Sequence, residues 1–161
     1  MTALKNIRNV MDNIIKIICI VLFAFMVIIG TYQILVRYIF NSPSTVSEEL
    51  LTYSFTWMSL FAAAYVFGKR DHMRMGFVAD KLNPAKLKKL NIVIELVTIA
   101  FSCIVMIYGG ISITKLSMTQ KTASLGIPMG YIYLVIPVTG IIIAVYGILN
   151  VIDLTGKGEN V

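Results

Sequence analysis

Residues 17 to 36 read IICIVLFAFMVIIGTYQILV, twenty consecutive positions without a charged side chain. At about 1.5 Å of rise per residue, a helix of this length crosses the roughly 30 Å of hydrocarbon in a bilayer. Three more uncharged stretches follow, at 50–68, 96–114 and 122–152. The chain is therefore predicted to be an all-α integral membrane protein with a single four-helix domain over residues 1–161 and spans at 17–37, 48–68, 92–114 and 127–152.

Basic residues concentrate between the second and third spans. The loop 69–90 carries seven cations against two aspartates, which by the positive-inside rule predicts that it is cytoplasmic. A chain with four spans then has both termini in the cytoplasm. This topology and anionic lipid headgroups account for the net charge of +6, so nucleic-acid binding is not expected. The seven cations are Lys69, Arg70, Arg74, Lys81, Lys86, Lys88 and Lys89.

The segment before the first span is amphipathic. Its apolar residues recur at intervals of three and four between charged ones, which predicts a helix that either lies at the cytoplasmic interface or runs directly into the first span. The cytoplasmic loop mixes methionines and Phe77 with charges, as expected of an interfacial segment. The third helix is predicted to begin near Pro84, since proline is favoured at the first helical position.

A short turn that contains Asn41 and Pro43 separates the first two spans and makes them antiparallel neighbours. Thr45-Val-Ser-Glu48 has the form of a capping box, in which Thr45 accepts from an early backbone amide and Glu48 reaches back. Arg37, Glu48, Glu49 and Tyr53 thus meet at one external corner. Three roles remain open for the charged residues: helix capping with Arg37 snorkelling to the interface, contact with a partner subunit, and ion translocation.

Other candidate residues lie near the ends of the spans. Lys69, Arg70, His72 and Arg74 are expected at the cytoplasmic interface, and Glu95 either pairs there with a lysine or couples protons. One histidine is too few for a bis-histidine haem or a multi-histidine metal site, so no metal and no cofactor are expected. No catalytic constellation can be assembled, and the chain is not expected to be an enzyme. In the last span, Pro128 and Tyr131 are assigned to the entry and Pro137 to a kink.

Three stretches resemble the small membrane subunits of tripartite ATP-independent periplasmic (TRAP) transporters, the DctQ-like family. The first is RYIFNSP at 37–43 followed by Ser47-Glu48-Glu49 and Tyr53, which is similar to the external turn of the family. The second is AAA at 62–64 followed by KRDHMRM at 69–75, which is similar to the end of its second helix. The third is ASLGIP at 123–128 with Tyr131 and Pro137, which is similar to its entry to helix four.

This resemblance implies a bacterial inner-membrane protein that works with two partners. A periplasmic substrate-binding protein captures an organic anion, typically a carboxylate, and a large membrane subunit moves it inward by an elevator motion coupled to sodium. The small subunit is then a stationary scaffold, and sodium is expected in the large subunit. The sequence does not identify the anion; sialic acid, C4-dicarboxylates and gluconates remain open.

Two other classes of membrane protein are alternatives to this assignment. Small proton-coupled exporters also have four spans, but they carry a carboxylate near the middle of the first helix, and residues 17–36 contain none. A non-transport accessory or redox subunit is the other alternative, against which the single histidine argues.

Overall fold

The computed structural model describes residues 2–69 and 83–156. The first helix, α1 (Thr2–Ile39), is continuous over 38 residues. Of the two arrangements expected for the amphipathic segment, the structure therefore has the one in which it runs directly into the span. The helix ends before Asn41, whose φ of 49° is left-handed, a conformation that asparagine tolerates better than most residues.

The second helix, α2 (Thr45–Lys69), begins where the sequence predicts, but its cap differs from the prediction. The capping side chain is Ser44, because its hydroxyl oxygen accepts from the Ser47 amide at 3.3 Å and from the Ser47 hydroxyl at 2.9 Å. The capping box was thus assigned one residue too late. With Ser44 outside the helix and Thr45 already in it, Ser44 is the residue placed to accept from the amide three positions on.

The third helix, α3, runs without interruption from 84 to 119. It consists of an α-helix (Pro84–Phe101), a π-helical segment (Ser102–Gly109), a second α-helical part (Gly110–Leu116) and a final 3-10 turn (Ser117–Thr119). The predicted start near Pro84 is confirmed. At the π-segment, the Ser102 hydroxyl donates to the backbone oxygen of Gly140 in the fourth helix, so a polar group in the apolar region has its partner inside the protein.

The fourth helix, α4, comprises Met129–Tyr133 and Val135–Gly156 and is interrupted at Leu134. Pro137 follows three residues later and is buried; it has no amide hydrogen to give to the preceding turn. The indole nitrogen of Trp57 donates to the Ile132 backbone oxygen at 3.0 Å. A side chain of α2 thus satisfies one carbonyl near the interruption, as a broken helix in a membrane requires.

The four helices lie in the spatial order α1, α2, α4, α3. α4 packs between α2 and α3, whereas α1 packs on α2 and meets α4 only briefly. The buried apolar core accordingly gathers on α2 and α4, with Phe61, Ala64, Val135, Ile143 and Tyr146 among its members. Large apolar side chains on α1 and α3 stay exposed along their length, which suits lipid rather than water.

Within the described residues there is no strand, and four helices are long and apolar enough to cross a membrane. The predicted class, an all-α membrane protein, is confirmed, and the chain is a multi-pass membrane protein. The longest of the four candidate spans, Leu4–Ile39, includes most of the amphipathic segment.

Gly68 allows a close approach between α2 and α4. A Cβ atom at this position would lie 2.7 Å from two ring carbons of Tyr146, and the Tyr146 side chain is fully buried. The ring has no free space to move into, so the glycine is required by packing and not by backbone conformation.

Gly68→Ala is therefore expected to lower the free energy of unfolding by about 1–3 kcal/mol, the usual cost of overpacking a core. Thermal unfolding in detergent measures the effect. Gly30→Ala is the matched control, since a Cβ there would meet only Leu51, at 3.9 Å. Equal stability of the two variants would contradict this account of the α2–α4 contact.

Candidate functional site

The strongest polar contact at the corner is made by Glu49, in the first turns of α2. Its carboxylate accepts from three consecutive backbone amides of the α3–α4 loop: Ala123 at 3.0 Å, Ser124 at 3.0 Å and Leu125 at 2.7 Å. The Tyr53 hydroxyl, one helical turn further along α2, donates to the same carboxylate at 2.7 Å. Four donors thus converge on one charged acceptor, and hydrogen bonds to ionised groups are the strong kind.

The loop that receives Glu49 is a narrow hairpin. The amide of Thr122 donates to the Ile127 oxygen at 2.9 Å, and the amide of Met129 donates to the Gln120 oxygen at 2.8 Å. Gly126, with a φ of +67°, provides the left-handed residue at the tip. The tip amides point towards α2 and have no partner of their own in the hairpin, so a carboxylate from outside the loop satisfies them.

Glu49 and Tyr53 therefore fasten the entry of α4 to the start of α2. Tyr53 adds a weak contact to the Met129 sulfur at 3.6 Å, and Pro128 precedes the first residue of α4. The Glu49 carboxylate accepts hydrogen bonds, and the Tyr53 hydroxyl and the three loop amides donate them. The geometry can hold the loop in one shape, with the carboxylate occupied by four donors.

The remaining corner residues do not join this contact. Arg37, Asn41, Pro43 and Glu48 are exposed, and within the described part of the chain no ion pair joins Arg37 to either glutamate. The Glu49 carboxylate is directed away from Arg37, to the loop amides. Contact of these exposed residues with a partner stays a prediction. Tyr131 is also exposed.

At the opposite end, the described part of the predicted cytoplasmic interface is small. The Lys69 ammonium lies over the Tyr65 ring, 4.7 Å from its centroid. Arg70, His72 and Arg74 lie outside the described residues. In the ranges 2–69 and 83–156, no group of three histidine, cysteine, aspartate or glutamate side chains is placed to hold a metal ion.

A second polar contact, which the sequence analysis missed, is centred on Asn150 near the end of α4. The Asn150 side chain is fully buried. Its oxygen accepts from Arg8 of α1 at 2.8 Å, and its nitrogen donates to Glu95 of α3 at 3.1 Å and to the Phe67 backbone oxygen of α2 at 3.5 Å. One amide group thus contacts all three other helices.

Two further contacts join α1 to α4 around Asn150. Arg8 also pairs with Asp153 at 2.9 Å, and the Tyr146 hydroxyl donates to the Asp12 carboxylate. The spacing of these residues in the sequence is consistent with the contact. Tyr146, Asn150 and Asp153 fall on one face of α4. Arg8 and Asp12 are one turn apart on α1. Because the asparagine side chain is neutral, the distribution of charged residues does not indicate this contact.

Comparison with known proteins shows similarity to one family of membrane transport proteins. The family model described as "Tripartite ATP-independent periplasmic transporters, DctQ component" matches residues 26–156. A Vibrio cholerae protein named sialic acid TRAP transporter small permease protein SiaQ is 31% identical over 139 residues, which cover 86% of this chain and 79% of that protein.

Two Haemophilus influenzae proteins described as TRAP transporter small permease proteins are also similar. One is 24% identical over 150 residues, covering 93% of this chain and 92% of the relative. The other is 22% identical over 129 residues, covering 80% and 78%. Both alignments extend over most of each protein, so the similarity concerns most of the four-helix domain.

The Glu49 contact predicts which amides exchange slowly with solvent. In Glu49→Gln the loop keeps a neutral acceptor, with one oxygen where the carboxylate has two. Exchange at Ala123, Ser124 and Leu125 should then be faster by on the order of tenfold. Hydrogen exchange with mass spectrometry on the peptide 120–129 measures it. Glu48→Gln is the control, because it makes the same charge change on an exposed neighbour; acceleration in both variants alike would contradict the assignment.

The Asn150 contact predicts a large cost for an isosteric apolar replacement. Asn150→Leu leaves Arg8 and Glu95 without their buried partner, so the free energy of unfolding should fall by about 2–4 kcal/mol. Thermal unfolding in detergent reports the loss. Asn9→Leu makes the same chemical change on an exposed face of α1 and should be nearly neutral; a stable Asn150→Leu protein would refute the role given to this side chain.

Proposed function

This chain belongs to the DctQ component family of tripartite ATP-independent periplasmic transporters, and we propose that it is the stationary scaffold on which the large subunit of such a transporter moves its substrate. It is a membrane subunit of a transporter and not an enzyme. In this proposal the chain provides a fixed surface for the large subunit. Its partners bind the substrate and move it.

One observation carries the proposal: the ionisable groups lie at the two ends of the helices, and those with defined partners fasten one helix to another. Glu49 joins α2 to the α3–α4 loop, and Arg8 joins α1 to α4. The middle of each span carries no acidic or basic residue. A chain that translocated an ion by itself would need such a group near the bilayer midplane.

The proposal extends to the substrate and to the ion that drives its uptake. The name of the Vibrio cholerae relative mentions sialic acid, an acid, which agrees with uptake of an organic anion such as a carboxylate. Coupling to sodium is assigned to the large subunit, and no cofactor is assigned to this chain. The substrate-binding protein would deliver the anion to the corner surface near Glu49 from the periplasm.

The proposed location is the bacterial inner membrane with both termini in the cytoplasm. The concentration of cations in 69–90 supports this orientation. The corner with Arg37, Glu48 and Glu49 then faces the periplasm, on the side where the binding protein docks. The Asn150 contact lies at the cytoplasmic end.

Reconstitution tests the proposal. The purified chain alone should show no sodium-dependent uptake, and uptake should appear when the large subunit and the binding protein are added. Glu49→Gln should weaken both co-purification of the large subunit and uptake, because the loop loses its charged acceptor, whereas Glu48→Gln should retain both.

Two outcomes would overturn the scaffold role. Saturable uptake by the isolated chain would mean that it contains a transport site. Loss of uptake in Glu49→Gln with full assembly and normal docking of the binding protein would instead assign the carboxylate to ion coupling.

A further inference from the structure

One face of α3 is buried at every fourth residue through its π-helical segment. Ser102, Met106 and Gly110 are buried, and all three lie against α4. A regular α-helix has 3.6 residues per turn, so a repeat of four would turn away from its partner by about 40° at each step. A π-helical turn contains more residues, and it keeps this repeat directed at α4.

The wide turn of α3 lies against Gly140 of α4, which is buried. A Cβ atom at Gly140 would lie 2.8 Å from the Met106 Cβ and 3.3 Å from the Ile107 backbone nitrogen. The Ser102 hydroxyl donates to the Gly140 backbone oxygen from the beginning of the π-segment. Because neither contacting atom is the movable end of a side chain, a larger residue at 140 would force the wide turn to shift.

The interruption of α4 lies in turn against a glycine of α3. A Cβ atom at Gly110 would lie 2.9 Å from the Cδ atom of Pro137 and 3.0 Å from its nitrogen, and Pro137 is buried. Gly110 follows Met106 by four residues, and Gly140 follows Pro137 by three. Each helix therefore carries one irregularity and, about one turn further along the same face, a glycine that makes room for the irregularity of the other.

We propose that the π-helical segment of α3 and the proline interruption of α4 form one interlock that fixes the rotation and axial position of the outer half of α3. Among the described residues, α3 packs on α4 and hardly on the α1–α2 pair. Apolar helices in lipid have little to prevent them from sliding along each other. The Glu95–Asn150 hydrogen bond holds one end of α3, and the interlock holds the part beyond it. The interlock needs neither a substrate nor a partner subunit.

A double-variant cycle on the purified full-length chain in detergent tests the interlock. Gly140→Ala should lower the midpoint of thermal unfolding by about 5 °C, because its Cβ meets the wide turn. Deletion of Ile104, an exposed residue of the π-segment, should return this turn to α-helical width. In that background Gly140→Ala should cost less than about 2 °C. Gly109→Ala is the matched control, since its Cβ would lie an ordinary 3.7 Å from the Ile104 backbone oxygen.

The other half of the interlock gives a second cycle, which needs no deletion and decides the matter if the chain without Ile104 does not fold. Gly110→Ala should lower the midpoint by about 5 °C in wild type. In a Pro137→Ala background the loss should be less than about half as large, because the Cδ atom of the ring is gone.

Double electron–electron resonance measures whether the interlock holds α3 in place. Spin labels are attached at Tyr38→Cys and Leu116→Cys, two exposed positions near the ends of α1 and α3, after Cys19→Ala and Cys103→Ala. Wild type should give one narrow distance distribution. Deletion of Ile104 and, separately, Pro137→Ala should broaden it. Ile104→Ala keeps the number of residues and should leave it narrow.

Two results would overturn the proposal. If Gly140→Ala costs the same with and without Ile104, and Gly110→Ala the same with and without Pro137, the glycines serve ordinary close packing. If the distance distribution stays narrow in both variants that remove an irregularity, other contacts hold α3.

Discussion

The Asn150 amide is the group that contacts all three other helices, and the arrangement of the bundle depends on it. In hydrocarbon a polar side chain must find its partners within the protein. Asn150 finds them on Arg8, Glu95 and the Phe67 backbone, and each partner fixes the rotation and height of its own helix. Apolar contacts alone would tolerate small slides of one helix along another. A buried amide with three partners at defined distances selects one register.

At the other end of the bundle a second polar contact also joins separate parts of the chain, but its central group is a charged acceptor. There the acceptor is the charged Glu49, and the donors are backbone amides of a loop that cannot satisfy them internally. The two contacts lie at opposite ends of α2 and α4. Between them α2 and α4 meet through apolar side chains and one hydrogen bond, from the Trp57 indole to the Ile132 backbone oxygen. Polar contacts at both ends thus hold the bundle in one shape.

The sequence predicts some of these features and not others for a physical reason. Span number, the helix starts at Thr45 and Pro84 and the fold class follow from local patterns of hydropathy and turn residues. The contacts of Glu49 join residues 74 to 76 positions apart, and no local pattern shows which loop a carboxylate will reach. Arg37 lies nearer to Glu49 in the sequence, yet three backbone amides bind the carboxylate. Asn150 is neutral, so a search for charges in the membrane does not detect it.

The spatial order α1, α2, α4, α3 has a consequence for biogenesis. Helices enter the membrane in the order of synthesis, so α2 and α3 are inserted before the helix that belongs between them exists. Among residues 2–69 and 83–156, α3 has almost no direct contact with the α1–α2 pair, so its packing in the bundle depends on α4. The bundle is thus completed late, when the C-terminal helix is inserted. A nascent chain truncated before α4 would consist of the α1–α2 hairpin and a third helix that does not pack against it.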